Sequence, residues 1–262
     1  MNENEINRKI KKEPEEQTKE NLKKETKRIQ VDIDGIQAVL WGERSEHVYL
    51  AIHGAMSNKE DTVIQIFAEE SRGYGAQVLS FDLPEHGDRK QENRQCNPVN
   101  CMEDLNKIMS YARKHWTKVG LFACSMGAYF SLLTFQKEEL TDCYFLSPVV
   151  DMRRVIENMM KWTQVTAEDL RERKQIETSF EQTLYWDYYS YVCTHPINSW
   201  NHTTYILYGD QDQTCDLDTE ESFADRYHCK LTIVPGAEHY FHTKDQLDTV
   251  SQWLQMNMKH KK

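Results

Sequence analysis

No segment of this 262-residue chain approaches the roughly 18 consecutive apolar residues of a membrane-spanning helix, and the N-terminus lacks the apolar core of a signal peptide. Neither a membrane span nor secretion is expected. Cysteine pairing is also missing. Cys96, Cys101, Cys124, Cys143, Cys193, Cys215 and Cys229 are odd in number, with neither the paired spacing of a zinc site nor the density of a disulfide scaffold. They read as reduced thiols in a cytoplasmic protein. Positive charge is the third shortage. A net charge of -10 opposes a phosphate backbone, and no basic stripe interleaved with aromatics runs through the globular part. Nucleic acid is therefore not an expected partner.

The composition does supply a core. With 39% hydrophobic and 11% aromatic residues, a chain of this length can bury one sizeable α/β domain. Residues 1–28 stand apart, with nine basic and seven acidic side chains and only Ile6, Ile10 and Leu22 as large aliphatics. That extension carries +2 and leaves -12 for the rest. It is expected to be disordered, because it cannot bury enough surface to order itself. The domain is expected over residues 29–262, and nothing in the sequence decides between a monomer and a homodimer.

From Ile29 onward strand-like and helix-like segments alternate. Asp34-Gly35 between Ile29–Ile33 and Ile36–Trp41 is a two-residue hairpin signal. Val48–Ile52 is a continuous apolar run suited to a strand buried on both faces. Ser57 and Glu60 have the spacing of a capping box ahead of a helix bearing Val63, Ile64 and Phe67. Strands follow at Gln77–Phe81, Lys118–Ala123, Cys143–Leu146, Thr204–Tyr208 and Leu231–Val234. Helices are expected around Met102–Ala112, Tyr129–Phe135, Glu220–Tyr227 and Leu247–Leu254. Such alternation implies a mostly parallel, doubly wound sheet of about eight strands. Residues 149–202 interrupt it. Met159, Met160, Trp162, Leu170, Phe180, Leu184, Tyr185, Trp186, Tyr188, Tyr189 and Tyr191 give that insertion more apolar surface than a loop requires. It reads as a helical cap over the sheet, most of its aromatics in packing and a minority lining a pocket.

Chemistry concentrates after the strands. Ala123-Cys124-Ser125-Met126-Gly127 places a serine between small residues at a strand-to-helix turn, the pattern of a nucleophile elbow with alanine at the usual first glycine. Gly209-Asp210-Gln211-Asp212 follows one later strand and Gly236-Ala237-Glu238-His239 the next. A carboxylate and a histidine on successive loops can meet beside Ser125. The chain from about Ile29 to Asn257 thus resembles an α/β-hydrolase-fold serine hydrolase of the esterase and lipase kind. Its insertion after the sixth strand is placed as in cinnamoyl and feruloyl esterases.

The resemblance implies roles. His53-Gly54-Ala55 is similar to the family's oxyanion turn, so the backbone N-H groups of Ala55 and Met126 would hold the oxyanion. Asp82-Leu83-Pro84-Glu85-His86-Gly87 is similar to a structural loop after the fourth strand, with Glu85 where glycine is usual. Ser125 would be the nucleophile, His239 the general base and Asp212 its acid partner. Asp210 and Asp151 remain alternative acids, and Cys124 an alternative nucleophile whose position before the elbow suits burial. His242 reads as a pocket edge, and His53 and His86 as turn residues. His47, His202 and His260 lack partners at metal-ligand spacing. The chemistry calls for no metal and no organic cofactor. The expected substrate is a carboxylic ester of a small or medium hydrophobic acyl or aryl group, with an acyl-coenzyme-A thioester or the amide of a prolyl-peptidase-like enzyme as alternatives. Arg153, Arg154, Lys161, Arg171, Arg173 and Lys174 would serve the thioester case as a phosphate patch. A non-catalytic receptor on the same scaffold is the reading from another class.

Overall fold

The computed structural model describes residues 27–178 and 182–258. Most of the charged extension, with Phe180 and His260, lies outside them. The ordered fold starts slightly earlier than residue 29. Arg28 pairs with Trp41 at the start of β1 (Arg28–Ile33), and Gly42 N-H donates to Lys27 O at 2.7 Å. β1 turns into β2 (Ile36–Trp41) through Asp34 and Gly35, both at positive φ, which is the primed turn the dipeptide signals.

The remaining main strands are β3 (His47–Ile52), β4 (Gln77–Phe81), β5 (Lys118–Cys124), β6 (Cys143–Leu146), β9 (Thr204–Gly209) and β10 (Lys230–Val234). They form one eight-stranded sheet in the order β1-β2-β4-β3-β5-β6-β9-β10. Only β1 and β2 run antiparallel to their neighbours; every pair from β4 to β10 is parallel. Mostly parallel sheets need cover on both faces, and the strands supply it by alternation. In β5, Val119, Leu121 and Ala123 face one core while Phe122 and Cys124 face the other.

Helices α1 (Thr62–Gly73) and α8 (Lys244–Met258) cover one face with Val63, Ile64, Phe67, Val250, Trp253 and Leu254. Helices α2 (Pro98–His115), α3 (Met126–Thr134) and α7 (Leu217–Tyr227) lie against the other. The expected cap over α1 is displaced. Asp61, not Ser57, is its N-cap, accepting from Val63 N-H, while the Ser57 hydroxyl donates to Asp61. Glu60 points away, to Arg28 at 2.7 Å. A carboxylate one residue before the helix satisfies an early N-H more directly than a serine four residues further back.

The insertion after β6 holds α4 (Met152–Trp162), α5 (Ala167–Arg173) and α6 (Trp186–Thr194). It is not wholly helical. Gln175–Glu177 (β7) and Thr183–Tyr185 (β8) pair antiparallel, because alternating Ile176 and Leu184 turn inward from half-exposed neighbours. Among the described residues no helix is long and apolar enough to cross a membrane.

One packing constraint crosses the centre of the sheet. A Cβ on Gly120 would lie 2.3 Å from the Tyr49 ring and 2.9 Å from Thr141 Oγ1, and the Tyr49 hydroxyl is tied to Asp142 at 3.0 Å. The ring cannot yield without breaking that bond. Gly120→Ala should therefore destabilise the fold by about 1–3 kcal/mol and lower Tm by several degrees. A melting curve within about 1 °C of wild type would show that the ring moves freely.

Candidate active site

Ala55, Ser125, Asp212 and His239 follow the carboxyl ends of parallel strands β3, β5, β9 and β10, where open α/β sheets keep their binding crevice. Ser125 follows β5 directly at φ 47°, ψ -121°. A non-glycine residue there costs on the order of 1–3 kcal/mol. The surroundings hold it: Ser125 N-H donates to Leu146 O at 3.1 Å, and Ser125 O accepts from Ala128 and Val149 N-H, each at 3.0 Å. Gly127 permits the turn. A Cβ at that position would lie 2.4 Å from His53 O and 2.7 Å from Ile52 O. Ala123, by contrast, fits within the core with no exposure, so alanine in place of the first glycine leaves the elbow intact.

The turn exposes the serine to its partners. Ser125 Oγ lies 2.8 Å from His239 Nε2, and His239 Nδ1 lies 2.6 Å from Asp212 Oδ2. Asp212 is completely buried, while the His239 ring is about one-fifth exposed. The other Asp212 oxygen accepts backbone N-H groups from Thr214 at 2.7 Å and Cys215 at 2.9 Å. Those bonds fix the carboxylate toward the ring and satisfy its buried charge. Asp210 faces elsewhere, accepting from Gly236 N-H at 2.7 Å. Asp151 caps α4 through Arg154 N-H. His242 stacks on Tyr240 in an exposed position beside α8. Cys124 is buried, and burial pushes its thiol well up.

Ala55 and Met126 line the same cavity as Ser125 and His239. A Cβ on Gly54 would stand 3.0 Å from Ser125 Cβ, so the turn bearing Ala55 abuts the serine. Beneath it, the loop at Asp82 acts as an anchor. Asp82 is unexposed and accepts from Lys59 N-H at 2.8 Å, Lys59 Nζ at 2.5 Å and Asp88 N-H at 3.0 Å. Glu85 adopts φ 64° in place of glycine, and its carboxylate takes the Cys96 N-H at 2.7 Å. As expected of turn residues, His53 and His86 bond to backbone: His53 Nδ1 to Gly54 O at 2.7 Å, and His86 Nδ1 to Pro84 O at 2.8 Å.

The cavity measures about 500 Å³. From the cap it is lined by Met152, Val155, Ile156, Met159, Leu184, Tyr185 and Tyr188, and from the sheet side by Leu146, Val149, Tyr240 and Phe241. No tryptophan contributes, and Trp162 is half exposed. Sequence reasoning missed two neighbours of the acid. Glu220 is fully buried with neither carboxyl oxygen hydrogen-bonded, and burial, then the Asp212 charge, pushes its carboxyl well up. Cys215, also raised by burial, has ligand atoms grouped with those of Asp212 and His239 within 4.8 Å. Only the fold brings this donor set together, since its members come from two separate loops.

Among solved structures the chain is similar to Est1E from Butyrivibrio proteoclasticus with ferulic acid bound, at TM-score 0.71 and 19% identity over 88% of this chain and 98% of that one. It is similar to the Pyrococcus furiosus esterase Pf2001 at TM-score 0.61 and 17% identity, over 90% of this chain and 94% of that one. It is also similar to alpha/beta hydrolase domain-containing protein 10 from mouse, at TM-score 0.70 and 11% identity over 89% and 99%. The chain has the α/β-hydrolase fold, as its motifs imply. No family model and no curated protein matches the sequence.

His53 gives the site a measurable pH dependence. Burial, foremost, holds its pKa down to about 4, and its Nε2 accepts the Leu83 N-H at 3.0 Å, which only the neutral ring can do. The unfolded value is about 6.5, so the folded state binds fewer protons between those limits. The stabilisation is complete above about pH 6.5 and is lost as pH falls toward 4. Between pH 7 and 4.5, His53→Gln should lose roughly 2–3 kcal/mol less stability than wild type in urea titrations. Parallel losses in the two proteins would sink this account of His53.

Proposed function

We propose that this chain is a serine hydrolase that cleaves carboxylic esters of small or medium hydrophobic acyl or aryl groups through an acyl-enzyme on Ser125. The observation that carries the reading is the continuous relay of Ser125, His239 and Asp212 at 2.8 and 2.6 Å, opening onto an apolar cavity.

His239 Nε2 takes the hydroxyl proton as Ser125 Oγ attacks the ester carbonyl. Asp212 holds the Nδ1-H tautomer and offsets the imidazolium charge. The tetrahedral oxyanion is received by the N-H groups of Ala55 and Met126, each worth about 3 kcal/mol where such donors have been removed. His239 then returns the proton to the leaving alcohol as the carbon-oxygen bond breaks. Water, deprotonated by the same imidazole, releases the acid and restores Ser125. Each step uses only groups of this chain and the substrate.

The substrate class follows from the lining. A cavity of about 500 Å³ with methionine and aliphatic walls suits an uncharged group of modest size. The ferulic acid held by the similar Est1E is an aryl acid of that kind. The thioester alternative is less well supported, because Arg153 pairs with Glu157 at 2.7 Å, Arg154 with Asp216 at 2.6 Å and Arg171 with Glu168 at 2.5 Å. Cations already neutralised by carboxylates make a poor phosphate patch.

Wild-type protein should hydrolyse a short-chain 4-nitrophenyl ester and take up a fluorophosphonate probe at Ser125. Ser125→Ala should abolish labelling and lower kcat by about 10⁴-fold or more, and Asp212→Asn by about 10³–10⁴-fold. Asp210→Asn and Asp151→Asn should stay within about tenfold of wild type. Folded protein that resists the probe would favour the receptor reading. A strong preference for acyl-coenzyme A in parallel assays would favour the thioesterase.

A further inference from the structure

A pair of thiols lies outside the relay, at the start of α2. Asn97 is the N-cap, accepting from Asn100 N-H at 3.0 Å, so Cys96 occupies the position before the cap and Cys101 the fourth residue of the helix. These are the two positions that meet in a hydrophobic staple. Here both carry sulfur, and Cys96 Sγ and Cys101 Sγ are 3.7 Å apart. Closing that gap to a disulfide, about 2.05 Å, needs side-chain rotation and a small shift of the loop.

The surroundings divide the labour. Cys101 is fully buried, and burial, foremost, with its hydrogen-bonded contact to Cys96, pushes its thiol up. That hydrogen bond draws Cys96 well below an ordinary thiol; burial opposes it, and the His86 imidazole reinforces it. Glu85 fixes the Cys96 backbone at 2.7 Å. Cys96 itself is only half buried, among half-buried residues 94–97 that follow the exposed residues 91–93. From α6, Tyr188 lines the cavity, and its buried hydroxyl makes no hydrogen bond. A thiolate-prone, reachable sulfur beside a buried resolving thiol is the arrangement of a peroxide-sensitive cysteine pair.

We propose that Cys96 and Cys101 form a redox modification site that a hydroperoxide closes to an intrahelical-cap disulfide. The Cys96 thiolate attacks the peroxide, forming the sulfenic acid and releasing hydroxide as the O-O bond breaks. Cys101 sulfur then displaces the sulfenic hydroxyl, its own proton leaving with that oxygen as water. Two thiols are oxidised and one peroxide is reduced. A thiol reductant reverses the change.

The full chain treated with a small excess of hydrogen peroxide, alkylated and cut with trypsin tests this. Peptide 95–107 holds both sulfurs and no other cysteine. It should lose two hydrogen atoms and both alkylation sites, and recover them after dithiothreitol. Cys101→Ser should leave a Cys96 sulfenic acid that dimedone captures; Cys96→Ser should leave Cys101 unmodified. Cys193 or Cys229 reacting before Cys96, or Cys96 passing to sulfinic acid with Cys101 intact in wild type, would overturn the proposal.

Discussion

A helix cannot leave a buried parallel strand at a sharp angle unless its first turn passes within contact distance of the neighbouring strand. At the end of β5 that condition is met by Gly127, whose position leaves no room for a Cβ against the carbonyls of Ile52 and His53. The close approach forces Ser125 into a left-handed conformation, and two backbone bonds to β6 and its following loop, with a third from Ala128 in α3, hold it there. Reactivity and architecture are thus one constraint. The same crossing that lets α3 pack on the sheet lifts the serine out of it.

The loops around that serine are set by buried polar groups rather than by apolar packing. Asp82 accepts from the backbone and side chain of Lys59 and from the backbone of Asp88, joining the loop after β4 to the one after β3. His53 adds a second join through Leu83 N-H. Satisfied groups of this kind in low dielectric fix geometry closely, because any displacement leaves a desolvated donor or acceptor unpaired. Ala55 rides on the element so clamped. In the proposed mechanism, an Ala55 N-H held through a neighbouring loop's carboxylate would need little reorganisation when negative charge develops beside it.

The strands were legible because burial on both faces writes a run such as Val48–Ile52 that no amphipathic helix shares. The candidates Ser125, Asp212 and His239 were legible as well, since each lies on a loop just past a strand with Gly127, Gly209 or Gly236 two or three residues away. The cap was only half readable. Its inward residues Ile176 and Leu184 belong to three-residue strands, too short to show a period against the helical segments around them. The pairing in α1's cap was misread because Ser57 and Glu60 fit a local spacing, while the tertiary partner of Glu60 is Arg28. Glu220 was invisible for a related reason: within Asp-Thr-Glu-Glu-Ser a carboxylate reads as a solvated helix face, and only the packing of α7 reveals it as unexposed.

Glu220 also bears on the role proposed for Asp212 beside the His239 ring. Two carboxyl groups near one another in a buried region cannot both ionise cheaply, and their environments decide which one carries the charge. Asp212 has two backbone N-H donors and the His239 ring around it, whereas both Glu220 oxygens are unpartnered. Burial, foremost, and the Asp212 charge push the Glu220 carboxyl up. The hydrogen bonds around Asp212, more than its sequence position after β9, are what turn its carboxylate toward His239.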